Sequence, residues 1–114
     1  MARRVLHVTV VLMACTAVTV AAANGAQRGR KPATHTIMMT GMQFTPATLT
    51  IKAGDTVIWV NKDIVAHTAT STASTFNSHM IPPEKSWKMV FKTKGDNPYV
   101  CSYHPTMKGL VKVQ

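Results

Sequence analysis

From Thr34 onward the chain alternates polar and apolar residues with a period of two, the pattern of half-buried β-strands. Thr34–Thr40 reads as a first strand, with Gly41 and Pro46 as punctuation behind it. Thr48-Leu49-Thr50-Ile51-Lys52 alternates cleanly, so Leu49 and Ile51 share one face and Thr48, Thr50 and Lys52 the other. Ala53-Gly54-Asp55 is a turn. Thr56-Val57-Ile58-Trp59-Val60 follows as the most apolar run of this region and reads as a central strand, closed by Asn61-Lys62-Asp63. Residues 71–86 are polar and irregular, with Pro82-Pro83 among them. Trp87-Lys88-Met89-Val90-Phe91-Lys92 alternates again and places Trp87, Met89 and Phe91 on one side. Lys94-Gly95-Asp96-Asn97 reads as a turn, Tyr99-Val100-Cys101 as a short strand, and Leu110–Val113 as the last strand.

Nothing after residue 24 sustains a helical period. Six or seven short strands in roughly 80 residues predict an all-β, two-sheet sandwich. Leu49, Ile51, Val57, Trp59, Met89, Phe91, Val111 and Val113 should lie between the sheets. A domain this small buries a modest share of its surface, so a metal bound only by the folded state would add stability.

The first residues differ in kind. Arg3 and Arg4 precede a mostly apolar stretch from Val5 to Val20, and Ala21-Ala22-Ala23 supplies small residues for cleavage. Residues 1–23 are therefore expected to be a secretory signal peptide, cut after Ala23 or Ala26. A competing expectation makes Leu12-Met13-Ala14-Cys15 a lipoprotein signal, with Cys15 lipidated and the protein membrane-anchored. Residues 24–34, with Arg28-Gly29-Arg30-Lys31-Pro32, read as a flexible basic lead-in, and 35–114 as the folded domain. The expected location is the periplasm.

Beyond residue 23 there are eleven Lys/Arg and four Asp/Glu, so 11 − 4 gives a net charge of +7. The lysines are scattered, with no basic helix or aromatic-rich stripe, which argues against nucleic acid. Acidic protein partners or simple solubility account for the charge.

Candidate chemistry concentrates in Cys101-Ser102-Tyr103-His104-Pro105-Thr106-Met107-Lys108-Gly109. A thiolate, an imidazole and a thioether fall within seven residues, spaced C-x2-H-x2-M, and His67 offers a second imidazole upstream. Two histidines, a cysteine and a weak axial methionine are the ligand set of a blue-copper electron-transfer site. Once residues 1–23 are removed, Cys101 is the lone cysteine, and metal ligation explains a single thiol in an oxidising compartment. His35 and His79 read as surface histidines, and Met38, Met39 and Met42 as packing residues with weak Cu(I) affinity as the alternative.

Taken together, Ala53–Asp63, His67, Phe76-Asn77-Ser78 and the Cys101–Gly109 loop resemble the cupredoxins. Within that family the short loop, with proline after the histidine, is most similar to the amicyanins; plastocyanins and pseudoazurins place more residues between histidine and methionine. The resemblance spans about Ile37 to Val113. It implies a Greek-key sandwich with one type 1 copper near one end. His67 and His104 would bind through ring nitrogens, Cys101 through its thiolate and Met107 through a long axial bond. Electrons would pass through the edge of His104, within an apolar patch that includes Pro105. The implied protein is not an enzyme but a monomeric electron carrier serving redox proteins such as a c-type cytochrome or a periplasmic dehydrogenase. Three positions depart from the family pattern: Thr68 replaces an asparagine that braces the ligand loop, Asn97 followed by Pro98 replaces a tyrosine, and Tyr103 replaces a proline. They bear on potential and partner rather than on copper.

Two other classes compete. A copper-delivery protein would use His79 and the methionines around Met38. A nucleophilic enzyme would activate Cys101 through His67 or His104, but no oxyanion-hole signature accompanies them, and a copper thiolate is not available as a nucleophile. A binuclear centre would need two bridging cysteines, and a multicopper oxidase further copper domains.

Overall fold

Strand propensity and alternation build eight strands in the computed structural model, which describes residues 29–114. These are β1 Thr34–Thr40, β2 Gln43–Thr45, β3 Thr48–Ile51, β4 Thr56–Asn61, β5 Thr70–Ser71, β6 Ser86–Val90, β7 Gly95–Cys101 and β8 His104–Val113. The expectations for a signal peptide at 1–23, for lipidation at Cys15 and for the lead-in as far as residue 28 lie outside the described residues. Residues 31–114 form one compact unit.

The strands make two four-stranded sheets, ordered β2-β1-β4-β6 and β3-β8-β7-β5. β1 runs parallel to β4 and β3 parallel to β8, while the remaining pairs are antiparallel. The sheets face one another across the predicted core. Ile51, Val57, Trp59, Phe91, Val111 and Val113 are buried, and Leu49, Met89 and Trp87 are partly buried against them. Trp59 of β4 is the hub. Its ring meets Trp87 at 5.4 Å, Phe76 at 5.9 Å and Tyr99 of the opposite sheet edge-on at 5.5 Å. Edge-to-face pairs of this kind add about 0.5–1.5 kcal/mol beyond the burial of their area.

The structure departs from the alternation pattern in four places, one of them the two-residue β5, where no strand was expected. β2 is a short strand that the pattern did not suggest. It joins β1 through Gly41 and Met42, both at φ 59°. Thr40 pairs with Gln43, so this is a two-residue hairpin turn with positive φ at both positions, the I′ geometry that matches strand twist. Gly95–Asn97, read as a turn, instead pairs with Val113, Lys112 and Val111 and extends β7. Tertiary pairing overrides weak local propensity there. Finally, His104 and Met107 belong to β8 rather than to a free loop.

Pro98 sits in the middle of β7, where a proline is tolerated only if its missing N–H faces no partner. Its neighbour Leu110 donates its own N–H away from β7, to Ala47 at 2.8 Å. The Pro98 carbonyl points the other way and accepts the Thr72 N–H at 3.1 Å, just past the end of the two-residue β5. The proline nitrogen thus lies on a side of β7 where the ladder has already run out.

Tyr99 is buried and has its phenol pKa pushed up to about 12 by that burial. The Trp59 indole N–H acts against that shift, yet neither it nor the Tyr99 hydroxyl has a hydrogen-bond partner. The phenol end of the ring packs directly against Gly109, its cross-strand partner on β8.

Candidate metal centre

The β7–β8 hairpin carries most of the site. Cys101 pairs with His104 across the turn Ser102-Tyr103, whereas one step further Val100 pairs with Lys108. The register jumps by three residues, so Pro105, Thr106 and Met107 are looped out of the ladder. Pro105 has no N–H to give to the ladder, which favours a bulge here. The bulge turns Met107 into the core, where it is buried, and leaves Pro105 and Thr106 exposed.

His67 arrives from the other sheet. β4 ends at Asn61, which is fully buried. Its side-chain amide donates to the carbonyls of Val65 (2.8 Å) and Ile81 (3.0 Å), and its side-chain oxygen accepts the Asp63 N–H at 2.9 Å. One side chain therefore shapes the 61–67 loop. His67 is then clamped to Ile81 by two backbone hydrogen bonds of 3.2 and 2.8 Å.

These elements bring His67, Cys101 and His104 together, with one donor atom from each lying within 4.8 Å of the others. The Cys101 Sγ is 3.7 Å from His67 Nδ1 and 3.6 Å from His104 Nδ1. Metal–nitrogen bonds of about 2.0 Å and a metal–thiolate bond of about 2.3 Å put nitrogen and sulfur about 3.7 Å apart when the metal is trigonal. The observed spacing matches. Cys101 and His67 are fully buried, and His104 is half-exposed. With buried Met107 on the same hairpin, the donor set is that typical of a type 1 copper site. Among the described residues no other group of three metal-binding side chains of the His, Cys, Asp and Glu types occurs.

Two supporting residues hold these donors in place, Thr68, already singled out in the sequence, and Asp63, which the sequence did not single out. The Thr68 N–H donates to the Cys101 Sγ at 3.3 Å, a bond that stabilises negative charge on sulfur. The Thr68 hydroxyl accepts the Ser102 N–H at 2.8 Å, and so ties the hairpin turn to the His67 segment. Threonine here does brace the loop, by reaching backbone on the far strand. The second residue is Asp63, whose Oδ2 lies 2.7 Å from His67 Nε2. Burial acts to raise the Asp63 pKa, but the N–H groups of Met42 and Gly41 and the His67 ring outweigh it and hold the carboxyl below its usual 3.8.

The remaining sequence candidates stay apart from this group. His79 is exposed, and His35 is half-buried against the buried carboxylate of Asp55, 2.9 Å away. Met39 is core and Met38 half-buried, which leaves Met42 as the one exposed thioether of that cluster.

Comparison with known proteins agrees with this geometry. Residues 8–113 match the family described as a cupredoxin-like domain. An amicyanin of Paracoccus versutus is 31% identical over 78 residues, covering 64% of this chain and 59% of the relative. The chain thus spans about three-fifths of that relative's length. A plastocyanin of Scenedesmus fuscus is 34% identical over 84 residues, covering 62% of this chain and 86% of its own. Among solved structures, an amicyanin variant in its Cu(I) form superposes with a TM-score of 0.68 at 26% identity, covering 71% of this chain and 82% of that one.

Proposed function

From the premise that this chain belongs to the cupredoxin-like family, we propose that it is an extracytoplasmic electron carrier working through one type 1 copper. The observation that carries the proposal is the convergence of His67 Nδ1, Cys101 Sγ and His104 Nδ1 on one point, with His104 half-exposed. Bound there, copper supplies a one-electron couple between Cu(I) and Cu(II). The protein's part is to hold the donors still. Cys101 and His67 sit in buried strand and loop backbone, and Thr68 pins both sides of the site. Donors fixed this way move little when charge changes. No bond is made or broken, so the role is carriage rather than catalysis.

His104 is the half-exposed ligand, and apolar side chains hang from the segments that hold the site. Ile64 (95% exposed) and Val65 lie on the Asp63–His67 loop. Met80 (59% exposed) neighbours Ile81, while Tyr103 and Pro105 flank His104. This face, centred on His104 and Pro105, is the proposed docking surface for a redox partner such as a c-type cytochrome or a periplasmic dehydrogenase. The test is stopped-flow mixing of the reduced, copper-loaded protein with an oxidised c-type cytochrome. Second-order oxidation of the copper supports the reading, and no oxidation over minutes opposes it.

The +7 charge adds a second expectation. The screening length shrinks from about 30 Å at 0.01 M salt to about 8 Å at 0.15 M. With an acidic partner the association rate should therefore fall about tenfold or more over that range. A rate independent of salt assigns docking to the apolar face alone.

Met107→Gln should keep copper and shift its potential downward. An amide oxygen is a harder donor than a thioether, so it favours Cu(II). A tenfold swing in that preference is about 59 mV, readable by voltammetry. An unchanged potential and spectrum would remove Met107 from the ligand set.

A further inference from the structure

Asp63 does more than border the site. Its two oxygens face two backbone N–H donors and one imidazole nitrogen, from two separate segments. Oδ1 accepts from Gly41 at 2.7 Å, and Oδ2 accepts from Met42 at 3.0 Å while contacting His67 Nε2 at 2.7 Å. Gly41 and Met42 are the two residues of the β1–β2 turn. The carboxylate is thus fixed by a rigid turn on one side and presented to a fully buried imidazole on the other. An acceptor held in this way needs a donor opposite. The His67 proton must then sit on Nε2, which leaves the Nδ1 lone pair directed toward Cys101 Sγ.

We propose that Asp63 is the positioning residue of this centre: it locks His67 in the tautomer that offers Nδ1 to the metal, and it biases the site toward Cu(II) by adding electron density to that ring. The proposal rests on the copper reading above for its second half only. A carboxylate behind an imidazole raises the ligand's basicity, and the more highly charged metal ion gains more from that. Loss of such a partner commonly weakens metal binding about 10–100-fold.

The test uses Asp63→Asn, which keeps the shape but exchanges one acceptor oxygen for a donor nitrogen. Three N–H groups would then share one oxygen. The first readout needs no metal: ring nitrogen NMR of His67 in the metal-free protein. Wild type should show Nε2 protonated and Nδ1 bare, and the variant should show a large gain of the Nδ1-protonated form. The second readout is the potential of the copper-loaded protein. A tenfold loss of preference for Cu(II) over Cu(I) reads as a rise of about 59 mV. Gly54→Ala is the control, because alanine at φ 96° strains the turn at the opposite end of β4 from Asp63 and His67. It should lower the melting temperature and leave both readouts unchanged. Wild-type His67 protonated on Nδ1, or Gly54→Ala reproducing the shifts of Asp63→Asn, would overturn the proposal. So would an Asp63→Asn variant with the wild-type tautomer and potential. A wild type that fails to turn blue would overturn the copper reading instead, and the NMR result still decides the tautomer.

Discussion

Cys101→Ser is expected to abolish the intense visible band of the copper-loaded protein and to weaken copper binding by more than the roughly 10–100-fold that loss of an outer partner costs. The band requires a copper–thiolate bond, and Cys101 is the free cysteine among the described residues. A serine hydroxyl is similar in shape but stays protonated at neutral pH, so it provides neither the charge nor the soft donor. The substitution should leave the fold in place. Cys101 is fully buried, and the Thr68 N–H that now donates to sulfur can donate to a hydroxyl oxygen instead. Circular dichroism and thermal melting of the metal-free variant check that separately. Wild-type colour in a folded serine variant would remove Cys101 from the site.

Gly109→Ala carries the largest expected loss of stability. A Cβ on residue 109 would overlap the phenol end of the Tyr99 ring, at Cζ, Cε1 and the hydroxyl oxygen. That ring has nowhere to go: it is buried, with Phe44 edge-on at 4.6 Å and Trp59 at 5.5 Å. Overpacking a tight core costs about 1–3 kcal/mol, occasionally more, and the lack of any relaxation path puts this case near 3 kcal/mol. For a domain of this size that lowers the melting temperature by about 10–20 °C. Combining Gly109→Ala with Tyr99→Leu should recover part of the loss, because the second change opens the space the first one needs. A single variant within about 0.5 kcal/mol of wild type would contradict the packing described. Met107 stands two residues away on the same strand, so a shifted copper spectrum should accompany the destabilisation.

Both sites show what the sequence made legible. Alternation located β1, β3, β4 and β6 to within about two residues, because in each the burial alternates between a more covered and a more open face. The candidate donors stood out because four chemically distinctive side chains fall at a restrictive spacing. Gly109 was visible only as the end of the ligand-bearing loop, since its real role depends on which residue lies across the ladder. Asp63 looked like the end of a strand. Its partners Gly41 and Met42 are more than 20 residues away, and its four-residue spacing from His67 carries no meaning outside a helix. Thr68 was read as a departure from a bracing asparagine, yet it braces too, through backbone 34 residues on. Bonds of this kind belong to the tertiary fold, and a linear pattern does not contain them.

The most direct test of the copper site is a visible absorption spectrum of the purified protein with one equivalent of Cu(II), repeated after ascorbate and again after reoxidation. The predicted result is an intense orange-red absorption that bleaches on reduction and returns on oxidation. A pale or absent band with Cu(II) bound would mean that Cys101 does not ligate the metal, and would contradict the electron-carrier account.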